Sequence, residues 1–196
     1  MNEAVKNFIK ENEDLINSNQ FEELYKKISS SYISELSDIF IKSGIDFLSF
    51  MKKIPENCFH NLNITNIIIP SSVKSMGYGA FSECTNLESI ALPDSLTSIS
   101  NWAFDGCTGL TSITIPEGVT SIGNDAFYGC SNLTSIRIPN SLKTIETCAF
   151  LHCTSLTKII FNGTKNRWNS IVKENSWDKH TGDYKVQCID GEFNND

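Results

Sequence analysis

Hydrophobic positions recur every 23 residues through the middle of the chain. Each unit follows the pattern A-F-x-x-C-x-x-L-x-x-I-x-[IL]-P-x-x-[LV]-x-x-I, with mostly polar residues between these positions. One unit holds about eight such side chains, too few to offset the entropy of ordering its backbone, so neighbouring units must stack and share a core. The period is kept by Pro70, Pro93, Pro116 and Pro139, by Phe81, Phe104, Phe127 and Phe150, and by Cys84, Cys107, Cys130 and Cys153.

The segment L-x-x-I-x-[IL] in each unit predicts a short strand. It alternates apolar and polar residues, it is rich in Ile and Thr, and a proline stops it. No hairpin signal separates one strand from the next, so the strands should run parallel, with a second bend at L-x-x-I and a turn at A-F-x-x-C closing each coil. The predicted fold is an α/β solenoid, a right-handed coil with a parallel β-sheet of about five short strands, at residues 65–69, 88–92, 111–115, 134–138 and 157–161.

The two ends of the chain depart from the repeat and are predicted to be caps. Residues 1–53 have apolar residues at helical spacing, which predicts a helical amino-terminal cap. In residues 162–196, a helix is expected from Thr164 through Val172, followed by a last strand near Val186, with Trp168 and Trp177 covering the last coil. The predicted organisation is therefore a cap at 1–53, repeats at 54–161 and a mixed carboxy-terminal cap at 162–196.

The repeat units resemble the leucine-rich repeats of the BspA-like family, which share the pattern above. The ending FNGTKNRWNSIV followed by DYKVQCIDGEF resembles the carboxy-terminal ending of that family. The first unit departs from the pattern, because Phe59 precedes Phe81 by 22 residues and the repeat cysteine is missing. The resemblance implies a leucine-rich-repeat coil, and members of the family are often surface proteins linked to adhesion and host-protein binding.

Composition narrows the classes of partner. The net charge of -7 and a pI near 5.0 argue against nucleic acid and against an anionic membrane surface, because both need clustered Lys and Arg. No stretch approaches the 18 or so apolar residues of a membrane span, so no membrane insertion is expected. The first twenty residues lack the basic start and continuous apolar run of a secretory signal, so we expect a cytoplasmic location.

The residues that could bind a metal or act in catalysis have a simpler explanation as structural parts of the solenoid. The four repeat cysteines should form a column of buried thiols, since one occurs at the same inward position of every coil. Cys148, His152 and Cys153 lie close in sequence, but Cys153 belongs to that column and no third metal ligand or orienting acid is placed beside them. The carboxylates fall at different phases of the repeat. We expect no catalytic residue, no metal and no cofactor.

The variable positions are where a partner would bind. The outward strand face is small and hydroxylated, on the order of 350 Å² from the strand spacings, whereas a standard interface takes about 800 Å² per partner. A protein partner should therefore also contact an edge that carries aromatic residues. The predicted partner-binding residues are Tyr78, Trp102, Tyr128, Glu88, Thr111, Thr114, Thr134, Arg137, Lys158 and Ile160. The Ser and Thr residues of the face have a plainer interpretation as soluble strand formers.

The leading functional hypothesis is a non-enzymatic protein-binding module that recognises an unidentified protein through its repeat surface. One alternative is a glycan-binding or adhesin-type module, which requires exposed aromatic platforms beside the polar strand face. Another is a structural component of an assembly, held together through its caps. The oligomeric state is left open by the sequence.

Overall fold

The computed structural model describes residues 52–194, which form a solenoid of stacked coils. Each coil contributes one strand to a first stack and one two-residue strand to a second. The first stack contains β2 (Asn66–Ile68), β4 (Ser89–Ala91), β6 (Ser112–Thr114), β8 (Ser135–Ile138), β10 (Lys158–Phe161) and β12 (Lys185–Cys188). The second contains β1 (Lys53–Ile54), β3 (Ser75–Met76), β5 (Ser98–Ile99), β7 (Ser121–Ile122), β9 (Thr144–Ile145) and β11 (Val172–Lys173).

The first stack confirms the five strands predicted from the repeat. Its strands are parallel and in register with the 23-residue period, so that Ile136 pairs with Ile113 on one side and Ile159 on the other. In each strand an apolar residue such as Ile67 of β2 or Ile113 of β6 is buried, and the residues beside these two face outward. A sixth strand, β12, extends the stack in parallel beyond the predicted repeats.

The second stack was not predicted, because the segment L-x-x-I was interpreted as a bend. It is a two-residue strand in each coil, and Ser121 and Ile122 pair with Thr144 and Ile145 of the next coil. A strand of two residues carries too little alternation to be read from sequence. The isoleucines at these positions still point into the core.

At one level of each stack the neighbouring strands lie side by side without a hydrogen-bonded ladder, so the five predicted strands do not form a single hydrogen-bonded sheet. In the first stack, β2 pairs with β4 and β6 pairs with the later strands, but no ladder joins β4 to β6. In the second stack, β1 pairs with β3, and no ladder joins β3 to β5. Both gaps lie between the coil of Phe81 and the coil of Phe104, which we call the seam.

The A-F turn forms a third face with its own hydrogen bonds between coils. Phe127 N donates to Ala149 O at 2.8 Å, and Gly129 N donates to Leu151 O at 2.8 Å. The residues two before and two after the phenylalanine, Asp125 and Gly129 in this coil, have positive φ. The equivalent bond from Phe81 N to Ala103 O, 2.8 Å, crosses the seam. This face therefore holds the coils together where both strand ladders are missing.

The phenylalanines and the repeat cysteines form two of the side-chain columns in the core. The phenylalanine rings of successive coils stack nearly parallel, with centroids 4.9 to 5.5 Å apart from Phe59 to Phe150. The stack includes Phe59, so the 22-residue spacing of the first unit is accommodated without breaking it. The column of repeat thiols, Cys84, Cys107, Cys130 and Cys153, lies beside it and is fully buried. This arrangement confirms the prediction of a buried thiol column.

Residues after β10 continue the coil and then cover it. Helix α1 (Lys165–Asn169) begins where predicted, with the Thr164 hydroxyl accepting a hydrogen bond from Arg167 N. It ends before Ile171, whereas the sequence predicted a helix through Val172. Trp177 packs edge-on against Phe150 at 6.0 Å and so ends the phenylalanine stack. A last strand, β13 (Gly191–Asn194), pairs antiparallel with β12.

The predicted amino-terminal cap, residues 1–53, lies outside the described residues apart from its last two. Of these, Lys53 belongs to β1. Helix α1, of five residues, is the only helix in the described range 52–194. The helical cap at residues 1–53 therefore stays a prediction.

Candidate binding surfaces

The outward side of the first stack, which we call the strand face, carries most of the predicted partner residues. Glu88, Thr111, Thr114, Thr134, Arg137 and Lys158 are exposed, and Ile160 is half-buried. Thr114, Arg137 and Ile160 form one row across three strands, because their Cα atoms are partners in the register. The same position in β2 is Ile68, whose side chain is 77% exposed. The row is thus more apolar than the hydroxylated face expected from the sequence.

Some hydroxyl groups of the strand face donate hydrogen bonds to backbone carbonyl groups of the previous coil. Thr134 Oγ1 donates to Thr111 O at 2.9 Å, and Thr157 Oγ1 donates to Thr134 O at 3.1 Å. These threonines join neighbouring coils, which favours their plainer interpretation. Glu88 lies on the β4 side of the seam and Thr111 on the β6 side. The missing ladder therefore falls between these two predicted residues.

Arg137 is held in a polar network at the carboxyl end of its strand. Its Nη1 donates to Asn162 Oδ1 at 3.1 Å, and Asn162 Nδ2 donates to Glu117 Oε1 at 2.6 Å. The network reduces the side-chain entropy that an arginine would lose on binding. Arg137 is therefore a prearranged cation at the middle of the row.

The three aromatic residues predicted to form one edge belong to two separate clusters of ring contacts. Tyr78 stacks on Trp102 across the seam with centroids 5.8 Å apart, and the two are 45% and 40% exposed. Tyr128, 37% exposed, contacts His152 edge-on at 5.5 Å, and His152 stacks on His180 at 5.2 Å. The sequence did not predict the two histidines as neighbours, because His180 lies beyond the regular repeat.

Trp102 occupies an unusual backbone position. Its φ is +61°, in the left-handed region, where a bulky residue is a genuine outlier. The same position of other coils holds Asn57, Gly79, Asp125 and Cys148, all with positive φ. The left-handed conformation thus belongs to the turn of each coil, and Trp102 is its bulkiest occupant.

A groove lies on the outward side of the second stack, next to the Tyr78–Trp102 pair. Its volume is 320 Å³. The groove was not predicted from the sequence, because the segment that forms its floor was interpreted as a bend. The signal that could have revealed it is the series of small residues at the 23-residue period. The groove is lined by Tyr78, Ser98, Ile99, Ser100, Asn101, Ser121, Gly123 and Glu146.

An acidic group lies on the A-F face. Burial, and then the neighbouring Glu83 carboxylate, raise the pKa of Asp105 from 3.8 to about 6. Ser82 Oγ donates to Asp105 Oδ2 at 3.4 Å, which opposes the rise only weakly. Asp125 adds a smaller repulsion. The carboxylates of Glu83 and Asp125 repel that of Asp105, so the contribution of Asp105 to the free energy of unfolding depends on pH.

The four repeat cysteines are buried, whereas Cys148 is partly exposed. None of the seven cysteines, all of which lie in the described residues, forms a disulfide. Burial raises the pKa of Cys84 to about 11 and that of Cys153 to about 12, so these thiols stay protonated near neutral pH. Within residues 52–194, no three His, Cys, Asp or Glu side chains converge to hold a metal ion.

Stacked parallel strands with a phenylalanine and cysteine core define a leucine-rich-repeat solenoid, a class of protein that presents repetitive surfaces to its partners. A family model described as BspA type leucine rich repeat region matches residues 52–176 in 6 copies. The chain therefore belongs to this family. Such repeat proteins are generally protein-binding or surface-type modules and are typically non-enzymatic.

Solved structures of related proteins share the fold. A leucine rich cell surface protein from Faecalibacterium prausnitzii is 38% identical, with a TM-score of 0.61 over 62% of this chain. A leucine rich repeat protein from T. pallidum is 29% identical, with a TM-score of 0.54 over 63% of this chain. This chain spans 32% of the first protein and 62% of the second.

A more distant structure adds support for the fold alone. It is a leucine-rich repeat protein from Eubacterium ventriosum, 22% identical, with a TM-score of 0.60 over 74% of this chain and 40% of its own. Among curated proteins, none matches this sequence. Across residues 52–194, the structure contains no helix with the length and apolar character needed to cross a membrane.

Proposed function

We propose that this chain is a non-enzymatic protein-binding module that recognises its partner through the strand face. The observation that carries the proposal is the row of Ile68, Ala91, Thr114, Arg137 and Ile160, which places apolar side chains and one prearranged cation on the outward side of consecutive strands. Apolar side chains aligned on one exposed face favour a contact surface more than single scattered ones do, and arginine is enriched among the residues that dominate binding energy.

The strand face needs a second contact area to reach the size of a stable interface. We place that area at Tyr128, His152 and His180, since tyrosine is enriched among the residues that dominate binding energy. Tyr128 lies in the same coil as Thr134 and Arg137, so one partner could contact all three. The Tyr78–Trp102 pair was also predicted to contact the protein partner, and the same experiment tests it separately.

The experiment is a pull-down with the intact chain as bait, analysed by quantitative mass spectrometry. One variant combines Arg137→Thr with Ile160→Thr, which copies the threonine found at this position in β6. A second variant, Tyr128→Ser, copies Ser82 of an earlier coil. A third combines Tyr78→Asn with Trp102→Asn. Equal thermal unfolding of all variants shows that the fold is kept.

We expect at least a tenfold loss of the captured protein for the first two variants, and its retention by the third. A captured protein that is purified and then bound directly, with the same ranking of variants, supports the proposal. Loss of the partner only in the third variant would move the protein site to the Tyr78–Trp102 pair. Equal capture by all three would remove the strand face from the function.

The cellular location of the protein has two alternatives, the cell surface and the cytoplasm. The Faecalibacterium prausnitzii relative is described as a cell surface protein. An adhesin-type role at a surface is thus the alternative to the cytoplasmic location expected from the amino-terminal sequence. Protease treatment of intact cells separates the two, because a surface module is cleaved while the cell is whole and a cytoplasmic one is protected.

A further inference from the structure

The groove on the second stack has a floor of small polar residues. Ser98 and Ser121 occupy the outward positions of β5 and β7, and Gly123 follows β7. A Cβ at Gly123 would lie 2.7 Å from Asn101 N, so the packing of the coils requires glycine there. The absence of a side chain at this position keeps the floor low over two coils.

The seam contributes to the groove. Because β3 and β5 are not joined by a ladder, the backbone carbonyl of Met76 accepts a hydrogen bond from the Ser100 hydroxyl. Ser100 and Tyr78 both line the groove, from opposite sides of the seam. The groove is thus placed where the regular contact between coils is replaced by side chains.

One end of the groove is formed by the aromatic ring of Tyr78. Tyr78 lines it directly, and the exposed ring of Trp102 stacks on Tyr78. Trp102 lies outside the core, at a backbone position that disfavours it. Trp102 keeps 40% of its surface exposed beside Tyr78.

Beyond Tyr78 the groove presents a fixed amide and, at its other end, a fixed carboxylate. Glu146 Oε2 accepts hydrogen bonds from Asn124 N at 3.2 Å and from Asn124 Nδ2 at 2.9 Å. Asn101 Oδ1 accepts from Asn124 N at 3.1 Å. Asn124 thereby orients both Asn101 and Glu146, which line the groove. These acceptors are arranged before any ligand arrives, which lowers the entropy cost of binding.

The chemistry of the groove favours a carbohydrate. A sugar ring has C–H faces that pack on aromatic rings and hydroxyl groups that donate to carboxylate and amide oxygens. Tyr78 and Glu146 lie on coils three steps apart, about 14 Å at the usual strand spacing, so the groove is elongated. A quaternary ammonium ligand would need aromatic faces and carboxylate around one point, and an apolar peptide would not suit a floor of serines.

We propose that this groove binds a neutral, linear oligosaccharide, with one sugar ring against Tyr78, which Trp102 supports, and the following rings reaching Asn101 and then Glu146. The site is on the second stack and does not depend on the protein-binding proposal for the strand face. It also differs from the glycan site considered from the sequence, which was expected on the strand face.

The test is a screen of the intact chain against an array of defined neutral oligosaccharides of two to four hexose units. Hits are then titrated in solution with saturation-transfer NMR, which reports the ligand. Trp102→Asn and Tyr78→Asn are the test variants, because Asn57 and Asn101 occupy the equivalent positions of other coils. Glu146→Gln tests the other end of the groove. Arg137→Thr and Tyr128→Ser are controls on the strand face and its neighbour.

We expect one or more hits. The dissociation constant should rise at least tenfold in each aromatic variant and at least threefold in Glu146→Gln. The controls should bind as the unmodified chain does. The absence of any hit at millimolar oligosaccharide would overturn the proposal. So would a hit whose affinity is unchanged in both Trp102→Asn and Tyr78→Asn, or a protein ligand that is lost in these variants when no oligosaccharide binds.

Discussion

The Sγ atom of Cys130 donates a hydrogen bond to the carbonyl oxygen of Phe104, at 3.1 Å, from one coil back to the previous one. The same bond recurs from Cys84 to Phe59, from Cys107 to Phe81 and from Cys153 to Phe127. Each repeat cysteine thus fills the core and also gives a buried carbonyl group a second hydrogen bond, beside the one that the Phe104 carbonyl accepts from Cys107 N. A purely apolar residue at this position would fill the core without that second bond.

Replacing a thiol of this column should weaken the fold without affecting ligand binding. Cys130→Ser is expected to lower the free energy of unfolding by about 1 to 3 kcal/mol, since a hydroxyl is costlier to bury than a thiol. The serine can still donate to Phe104 O, so Cys130→Ala, which cannot, is the comparison that isolates the hydrogen bond. Urea unfolding followed by circular dichroism measures both. Unfolding of the unmodified chain by a chelator would show instead that the thiols hold a metal.

The cysteines should differ sharply in reactivity in the folded protein. Cys148 is partly exposed, at the edge of the A-F turn, whereas the column thiols are buried with raised pKa. Because the thiolate is the reactive form, we expect Cys148 to be labelled first by a maleimide at pH 8. Timed labelling with peptide mass spectrometry ranks the sites, and urea should release all seven. Fast labelling of Cys107 or Cys130 in the native state contradicts the buried column.

The free energy of unfolding should depend on pH through Asp105. Its pKa is raised from 3.8 to about 6, so between these values the folded chain keeps a proton that the unfolded chain has released. Stability from this group is therefore highest below that window and falls as the pH rises through about 6. Asp105→Asn should stabilise the protein at pH 8 by about 1 kcal/mol after allowance for solvent screening, and by much less at pH 4.

Denaturant titrations at pH 4, 6 and 8 measure this dependence. Glu88→Gln, on the strand face, is a matched control that removes a carboxylate elsewhere. An equal effect of Asp105→Asn at pH 4 and pH 8 would show that the aspartate does not titrate in this way.

Two glycines of the same coil should respond differently to alanine. Gly123 has an ordinary backbone conformation, but an added Cβ would press on backbone atoms of the previous coil, 2.7 Å from Asn101 N. Gly129 has a φ of +66°, and nothing lies within 4 Å of an added Cβ. We expect Gly123→Ala to cost about 2 to 3 kcal/mol by overpacking, and Gly129→Ala about 1 kcal/mol from its backbone conformation.

Thermal or urea unfolding of the two alanine variants gives the comparison directly. Gly123→Ala should also alter the groove, because this glycine lies in its floor. The interpretation of close packing between coils is wrong if Gly129→Ala proves the more costly of the two.

The phenylalanine stack should lose most stability in its interior. Phe127 lies between Phe104 and Phe150, with centroids 5.2 Å away on each side. Truncation to alanine removes contacts to both neighbours, and we expect Phe127→Ala to cost about 3 to 5 kcal/mol. Trp177→Ala, at the end of the stack, leaves Phe150 with one neighbour fewer and should cost less. Calorimetry of both variants tests the order, and a larger loss for Trp177→Ala would contradict it.

The strand positions and the core could be predicted because the repeat states them several times over. A single alternation such as Ser135 to Ile138 is weak evidence for a strand, but the same alternation at one period in successive units is strong. Phe104, Phe127 and Cys130 could be assigned to the core in the same way. The candidate aromatic residues were also found from sequence, since Tyr78, Trp102 and Tyr128 stand out at variable positions.

Their grouping could not be predicted. Tyr78 and Trp102 lie one position apart in the repeat, and their rings meet only because the two coils stack at the seam. His180 joins His152 although it follows an irregular segment. The groove depends on the shape of two-residue strands, which leave too short a pattern to be detected.

The amino-acid sequence alone therefore determined the repeat, the positions that point inward in each coil and the parallel strand stack. The reason is that a fixed period imposes the same local environment on each unit. Tertiary structure alone decided the seam, the second stack and the separation of the aromatic residues into two clusters. These features depend on the offset between neighbouring coils, which results from hydrogen bonds and side-chain contacts between residues about 23 positions apart. No single unit contains that information.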